Sequence, residues 1–274
     1  MKIVLKKADG TGQTQMARAR GPATSASGGV GLESSLSSGI DYDFAPTGSF
    51  THRVIEVGAE RNRVLIVNNP FRDPASLVRY AKDHVQFAFG ADGSYYPGVR
   101  GQAPEAYLRA FLRTLAVLMR ETFEIPEWAS FQPSAMYSLT TRRPQDLLPR
   151  QRIPHYDGAG RRMFSAVHYL FHGPLGGTSF YRHRATMFEA ITEDREQSYE
   201  QIVAREIQET PPPDQYFTRS TELFEETFNV PGAYNSLVIF PGQLLHSGTI
   251  NWGEGLSEDV EQGRLTLNAF FRLR

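Results

Sequence analysis

The sequence predicts an α+β protein whose core is a β-sandwich or jelly-roll barrel, with helices ahead of most of the strands. Two observations predict this class. Long helical periodicity lies mainly in the first half of the chain, whereas after Pro126 the sequence changes to many short β-rich segments. Glycine and proline turns separate these segments, as expected of a sandwich or jelly roll.

Residues 1–50 are predicted to form a flexible tail, because residues 10–39 consist largely of Gly, Ser, Ala and Thr. Such a segment buries too little apolar surface to offset its chain entropy. We expect one folded domain over residues 51–274. It opens with two strands, in "HRVIEV" and "NRVLIVNN".

Two helices are predicted next. Asp73 followed by Pro74 is typical of a helix start, and it leads into "ASLVRYAKDHVQF". A turn-rich loop at residues 90–101 separates this helix from the longest one, over residues 104–123, whose apolar residues recur at helical spacing.

The second half is predicted to be mainly β structure, with one helical insertion at about residues 190–210. The insertion is followed by Pro211-Pro212-Pro213. The predicted strands lie in "ASFQPSAMYSLTT", "RMFSAVHYLF", "GTSFYRH", "LFEETFNV", "NSLVIFPG", "LLHSGTI" and "RLTLNAFFRL".

Composition and charge exclude several classes of function. The chain has 274 residues, 29 basic and 30 acidic side chains, and no cysteine. No overall charge favours nucleic acid or a membrane surface, and thiol chemistry and Cys-ligated metal sites are excluded. No stretch approaches the roughly 20 apolar residues of a membrane helix, and we expect a cytoplasmic protein. Nothing indicates an oligomeric state.

His155 and Asp157 are the first candidate metal ligands. In an extended segment residues i and i+2 point to the same face, so this imidazole and this carboxylate can converge on one cation. His246 follows an apolar strand and a Pro-Gly turn, and in a jelly roll such a late strand can lie beside an early one. Two histidines and a carboxylate form the facial triad of non-haem Fe(II) sites, although zinc can use the same ligands. We expect His168 to be a packed strand residue and His183 to be exposed.

Arg264 is a candidate anion-binding residue. It precedes the apolar segment "LTLNAFF", where a buried charge is costly unless it meets an anion, and its planar guanidinium pairs well with a carboxylate. Thr266, two residues on, is expected to face the same side.

The ordered motifs resemble the 2-oxoglutarate/Fe(II) dioxygenase superfamily, particularly its prolyl-hydroxylase-like branch and a poorly characterised bacterial group within it. The likeness is carried by "SAMYSLTT" before "PHYD", then "VHYLFHGPLGGTSF", "IFPGQLLHSG" and "GRLTLNAFF". The long spacing from His246 to Arg264 and the helical insertion depart from close prolyl-hydroxylase relatives.

The resemblance implies a double-stranded β-helix (a jelly-roll, cupin-like core) with N-terminal helices packed on one sheet. It implies that His155, Asp157 and His246 bind Fe(II), with O₂ as the oxidant. Arg264 and Thr266, with Tyr169, would bind the distal carboxylate of 2-oxoglutarate.

The function expected is hydroxylation of an unactivated C–H of a peptide, amino acid or natural product, with release of succinate and CO₂. Asp157 favours hydroxylation over halogenation, because halogenating relatives have a small residue there. Tyr96 and Arg100, in "SYYPGVRG", are candidate substrate contacts. Two alternatives stay open: a non-catalytic jelly-roll binding protein, and a zinc hydrolase that uses the same three ligands.

Overall fold

The computed structural model describes residues 41–90, 95–254 and 256–274. Most of the predicted tail therefore lies outside the described residues. Residues Tyr42–Arg274 form one compact unit. Its strands are β1 (Thr51–Val57), β2 (Asn62–Asn68), β3 (Ala88–Phe89), β4 (Gly98–Gln102), β5 (Phe131–Thr140), β6 (Met163–Tyr169), β7 (Gly176–His183), β8 (Phe224–Pro231), β9 (Ser236–Pro241), β10 (His246–Ile250) and β11 (Leu265–Leu273); its helices are α1 (Pro74–His84), α2 (Glu105–Phe123) and α3 (Glu193–Glu209).

The strands form two antiparallel sheets. The large sheet has the order β1-β2-β9-β6-β11-β5-β4-β3, and the small sheet has the order β10-β7-β8. The late strands β9 and β11 pair with strands from much earlier in the chain. This strand order shows that segments late in the chain lie beside early ones, which is what the predicted meeting of His246 with His155 and Asp157 assumed. None of the helices in the described ranges is long and apolar enough to cross a membrane.

The first two helices begin and end close to the predicted positions. At the start of α1, Asp73 Oδ1 accepts a hydrogen bond from the Ser76 backbone N–H, which satisfies one of the free amides of the first turn. In α2 the buried residues Tyr107, Phe111, Leu115 and Met119 repeat every four positions. Buried residues of both helices share one apolar cluster with residues of the large sheet.

The large sheet is covered on both faces. In β11 the odd-numbered residues from Leu265 to Phe271 belong to the helix-side cluster. The opposite face of the sheet, here called the inner face, carries Tyr169, Val238 and Phe240, which share a second cluster with Phe180 of the small sheet. Side chains alternate between faces in a strand. The even-numbered residues of β11 therefore lie on the inner face, between the two sheets.

The helical insertion is α3, which packs against the small sheet. Tyr199 and Val203 of α3 share an apolar cluster with Tyr181 and Leu245. The prediction that His183 is exposed is wrong: its side chain is fully buried, and Nε2 lies 2.7 Å from a carboxylate oxygen of Glu206 in α3. The pairing links α3 to β7.

Two stretches differ from the expected element boundaries. Residues 42–50 lie before β1, yet the rings of Tyr42 and Phe44 contact Tyr80 of α1 at centroid distances of 5.3 and 5.5 Å. The predicted loop at residues 90–101 ends in a strand, β4, which pairs with β5. At Gly98 of this strand a Cβ would lie 2.1 Å from the Leu139 carbonyl oxygen, so the close pairing requires glycine.

Candidate metal centre

The segment that carries His155 and Asp157 runs antiparallel beside β10. His155 and His246 exchange backbone hydrogen bonds of 2.9 and 2.8 Å, and the Asp157 N–H donates to the Gly242 carbonyl at 2.7 Å. The segment is therefore joined to β10 by a single antiparallel β-bridge. This pairing brings the three predicted ligands together although His155 and His246 are far apart in sequence.

The three side chains offer a metal-sized set of donors. One donor atom from each of His155, Asp157 and His246 lies within 4.8 Å of the others. The shortest approaches are 3.6 Å from His246 Nε2 to Asp157 Oδ2 and 3.9 Å from His155 Nε2 to Asp157 Oδ1. If two donor atoms each lay about 2.1 Å from one cation, the distance between those two atoms would be about 3 Å. Small side-chain movements therefore suffice to bind a single ion.

Neighbouring groups orient two of the ligands. His246 Nδ1 lies 2.9 Å from the Leu244 carbonyl, which can only accept, so Nδ1 carries a proton and Nε2 is left as the ligand atom. Ser165 on β6 donates its hydroxyl to Asp157 Oδ2 at 2.5 Å. The ring of Phe240 packs at 4.6 Å from the His246 ring. The ligands are thus held by the inner face of the large sheet as well as by the small sheet.

The electrostatics favour a neutral His155. Desolvation is the largest cause that lowers the pKa of His155, followed by the charge of His246, while Asp157 acts in the opposite direction. Its side chain keeps 54% of its surface exposed. A lowered pKa keeps the ring deprotonated at neutral pH, which is the form that binds a metal.

Arg264 is buried close to the metal ligands along β10. It is 3% exposed, and it donates from Nε to the Leu175 carbonyl and from Nη2 to the Gly177 carbonyl, both at 3.0 Å. A Cβ on Gly248 would lie 3.7 Å from Nη2. Gly248 is two residues from His246 and on the same face of the strand, so the guanidinium lies about 7 Å further along that face.

Arg264 has no carboxylate partner among the residues that the structure describes. Besides the two carbonyls it lies over the Phe171 ring, at 5.3 Å from the ring centroid. A buried cation with only carbonyl and ring contacts is costly. An anion that bound beside Arg264 would offset this cost.

Thr266 and Tyr169 lie near Arg264 but their hydroxyls are already used. The cross-strand row Arg100–Ser138–Thr266–Tyr169 crosses the inner face, and we call it the anchor row. Thr266 donates to the Ser138 carbonyl at 3.3 Å, and Tyr169 donates to Thr178 Oγ1 at 2.7 Å. Burial raises the pKa of Tyr169 to about 12, opposed by Thr178 and by the charge of Arg264. Both side chains can accept a hydrogen bond or rotate toward a ligand.

The candidate substrate residues lie at the β4 edge of the same face. Arg100 is buried and its Nε donates to Ser138 Oγ at 3.1 Å. The Tyr96 hydroxyl lies 2.8 Å from Thr140 Oγ1, and the Arg100 guanidinium lies 5.6 Å from the Tyr96 ring centroid. The structure therefore places Arg100 within the anchor row and Tyr96 beside it, rather than beside the three metal ligands.

His168 lies on the helix side of the large sheet, away from the metal ligands. Its ring stacks on Phe71 at 5.2 Å, and its nitrogens lie 3.5 Å from the Tyr107 hydroxyl and 3.2 Å from Asn235 Oδ1. Burial lowers the pKa of His168 to about 4. This is the packed strand histidine that the sequence predicted.

A cavity of about 700 Å³ lies at the small sheet, and none of the three metal ligands lines it. Its walls include Tyr216 and Trp252 together with the polar residues Gln215, Asn229 and Thr249. Asn229 is occupied by hydrogen bonds to Ser179 and Thr249.

The sequence over residues 48–271 matches the family of unknown function DUF6445. The chain belongs to DUF6445. No match to a curated protein was found. The site described above is thus a candidate metal centre for a DUF6445 protein.

Several solved structures align with this chain at low sequence identity, among them a non-haem α-ketoglutarate-dependent epimerase and a protein solved with 2-oxoglutarate bound. The epimerase SnoN from nogalamycin biosynthesis aligns with a TM-score of 0.41 and 13% identity, over 84% of the DUF6445 chain and 78% of SnoN. HygX from Streptomyces hygroscopicus, solved with nickel, 2-oxoglutarate and hygromycin B, aligns with a TM-score of 0.43 and 9% identity, over 76% and 82% of the two chains. AviO1 from Streptomyces viridochromogenes Tue57 aligns with a TM-score of 0.39 and 14% identity, over 84% and 91%. These likenesses are too weak to assign a reaction.

Proposed function

We propose that this chain is an Fe(II)- and 2-oxoglutarate-dependent oxygenase that hydroxylates a C–H bond of a small-molecule or peptide substrate. One observation carries the proposal. The Arg264 guanidinium lies next to Gly248, and Gly248 is two residues after His246 on the same face of β10. A facial triad and a buried arginine at this spacing suit a short dicarboxylate that spans from the metal to the guanidinium.

The donor set fits the proposed iron. His155, Asp157 and His246 would hold Fe(II) on one side and leave its other positions open. When bound, iron and 2-oxoglutarate supply the oxidising chemistry, in which substrate C–H, O₂ and 2-oxoglutarate give substrate C–OH, succinate and CO₂. Ser165 and the Leu244 carbonyl fix the orientation of two ligands before any metal arrives.

The protein's own residues would bind the cosubstrate and shelter it. Arg264 would bind the distal carboxylate, with Thr266 and Tyr169 adding hydrogen bonds after their hydroxyls rotate. Tyr96 and Arg100 would contact the substrate from the β4 edge. The small sheet packs on part of the inner face and would shelter the bound cosubstrate from bulk water. We further propose that the two sheets form the double-stranded β-helix predicted from the sequence, and that the prolyl-hydroxylase-like resemblance extends to the reaction, namely hydroxylation.

Succinate formation tests the proposal. Protein prepared without oxygen receives Fe(II), 2-oxoglutarate and then O₂, with and without candidate substrates, and succinate is measured. We expect the wild-type chain to form succinate and His155→Ala to fall to the level of samples without protein. His172→Ala is the matched control, because His172 is exposed and stacks on Tyr234.

Two results would overturn the assignment. Absence of succinate that depends on His155, across a panel of amino acids, peptides and natural products, would contradict oxygenase activity. One equivalent of tightly bound zinc in protein purified from cells, with hydrolysis that depends on the same three ligands, would favour the zinc hydrolase instead.

A further inference from the structure

The side-chain amide of Asn268 makes no hydrogen bond with any residue that the structure describes. Its Oδ1 atom is buried without a partner. A buried amide without a partner typically costs about 1–3 kcal/mol. The Asn268 side chain is only partly buried, and its Oδ1 atom is the part that lies buried without a partner.

Its neighbours on the same face cannot satisfy it. The register pairs Asn268 with Met136 on β5 and with Val167 on β6. Neither thioether nor isopropyl group is a useful hydrogen-bond partner for an amide. The partner must therefore come from the space between the sheets.

Asn268 lies midway between the metal ligands and the anchor row. On β11 it follows Thr266 of the anchor row by two residues and precedes Phe270 by two. Phe270 is in register with Ser165, the residue that bonds Asp157. Same-face residues in a strand are about 7 Å apart. A molecule that reached from the metal to Arg264 would pass this position.

The facing strand leaves room for such a molecule. Gly248 on β10 has no side chain, and the atoms closest to a Cβ placed there would be those of Ile250 at 3.5 Å and Arg264 Nη2 at 3.7 Å. Gly248 on the small sheet thus lies at the Arg264 end of this path, and Asn268 on the large sheet lies along it.

We propose that Asn268 binds the cosubstrate, with its amide N–H donating a hydrogen bond to the 2-oxo acid end of bound 2-oxoglutarate near the metal. This inference rests on the proposed function. A half-turn of the amide exchanges its oxygen and nitrogen, so the donor can face the ligand whichever end is buried before binding. The bond joins a neutral donor to an anion, which is among the stronger hydrogen bonds.

Calorimetric titration of Mn(II)-loaded protein with 2-oxoglutarate tests the inference without turnover. We expect Asn268→Leu to weaken binding about tenfold or more, the usual effect of losing a hydrogen bond to a charged group. Asn62→Leu is the matched control, because Asn62 at the start of β2 also has a buried amide atom without a partner. Its affinity for 2-oxoglutarate should equal that of the wild-type chain.

A second ligand identifies the end that Asn268 binds. The ligand 2-oxobutyrate has the 2-oxo acid but lacks the distal carboxylate. Asn268→Leu should weaken both ligands, whereas Arg264→Met should weaken only 2-oxoglutarate. Loss of 2-oxoglutarate affinity with unchanged 2-oxobutyrate affinity would overturn the proposal.

The outcomes separate this inference from the proposed function. If the wild-type protein with metal does not bind 2-oxoglutarate, the proposed function fails. If it binds and Asn268→Leu binds equally well, only the role of Asn268 fails. Asn268→Val is a second variant for the same titration. Without metal, both variants should melt at a temperature no lower than that of the wild-type protein, because each removes a buried oxygen that has no partner.

Discussion

At the scale of single residues, the hydroxyl of Ser165 links the large sheet to the metal ligands. It donates to Asp157 Oδ2 at 2.5 Å from a buried position on β6. Loss of such an orienting partner typically lowers metal affinity 10–100-fold. We expect Ser165→Ala to weaken Mn(II) binding within roughly that range, measured by calorimetry.

The matched control for this change is Ser134→Ala. Ser134 lies in the same cross-strand row, paired with Phe270, but it is exposed. Its metal affinity should equal that of the wild-type chain. Equal Mn(II) affinity of Ser165→Ala and the wild-type protein would contradict an orienting role for Ser165.

The sequence predicted the ligand residues better than the groups that orient them. His155 and Asp157 stand out because their i, i+2 spacing puts an imidazole and a carboxylate on one face, and His246 stands out because it follows the Pro-Gly turn of a late strand. Ser165 was not predicted, although a polar residue between Phe164 and Ala166 in an apolar strand is a signal for an inner-face partner. Its bond to Asp157 depends on the pairing of β6 with β9, whose long-range register no local pattern specifies.

At the scale of elements, α3 holds the loop that carries two of the ligands. Tyr156 lies between His155 and Asp157, and its ring packs against Tyr199 of α3 at 6.0 Å. Its hydroxyl donates to Glu200 at 3.1 Å. The helical insertion thus contributes to the position of the metal ligands from the outer side of the small sheet.

Tyr156 therefore offers a test of this contact. We expect Tyr156→Ala to weaken Mn(II) binding about tenfold, because the loop loses its packing on α3 and its ligands are less well oriented. Tyr156→Phe keeps the ring contact and should stay close to wild type. Calorimetry on both variants distinguishes packing from the hydrogen bond. If both variants bind Mn(II) like the wild-type chain, α3 does not position the ligands.

Some elements could be predicted from the sequence and others could not. The bounds of α1 and α2 follow from an N-cap, a proline and a four-residue apolar spacing, all of which are local signals. The two glycines of β4 hide the strand pattern in the sequence. A Cβ on Gly98 would clash with the Leu139 backbone, and a Cβ on Gly101 would clash with the Val85 side chain. The flanking residues Arg182 and Arg184 make His183 look exposed in the sequence. Alternation along the strand, however, turns flanking residues to the opposite face.

At the scale of the whole molecule, His168 couples the stability of the fold to pH. Its proton is on Nε2, because Asn235 Oδ1 accepts from it; the Asn235 amide is itself oriented by its bond to the Phe71 carbonyl. The ring is fully buried, and burial lowers its pKa from 6.5 to about 4. The folded protein therefore keeps this ring neutral where the unfolded chain protonates it.

The sign of the pH effect follows from proton uptake. Between pH 6.5 and about 4 the unfolded chain binds one more proton at His168 than the folded protein. Stability due to the neutral ring is therefore complete above pH 6.5 and falls with decreasing pH through this window, at up to about 1.4 kcal/mol per pH unit. His168→Phe removes this proton while retaining an aromatic ring beside Phe71. We expect the free energy of unfolding of metal-free wild-type protein to fall more steeply from pH 7 to pH 4.5 than that of His168→Phe, measured by urea denaturation. Other titrating groups are common to both proteins, so parallel curves would show that His168 is charged in the folded state.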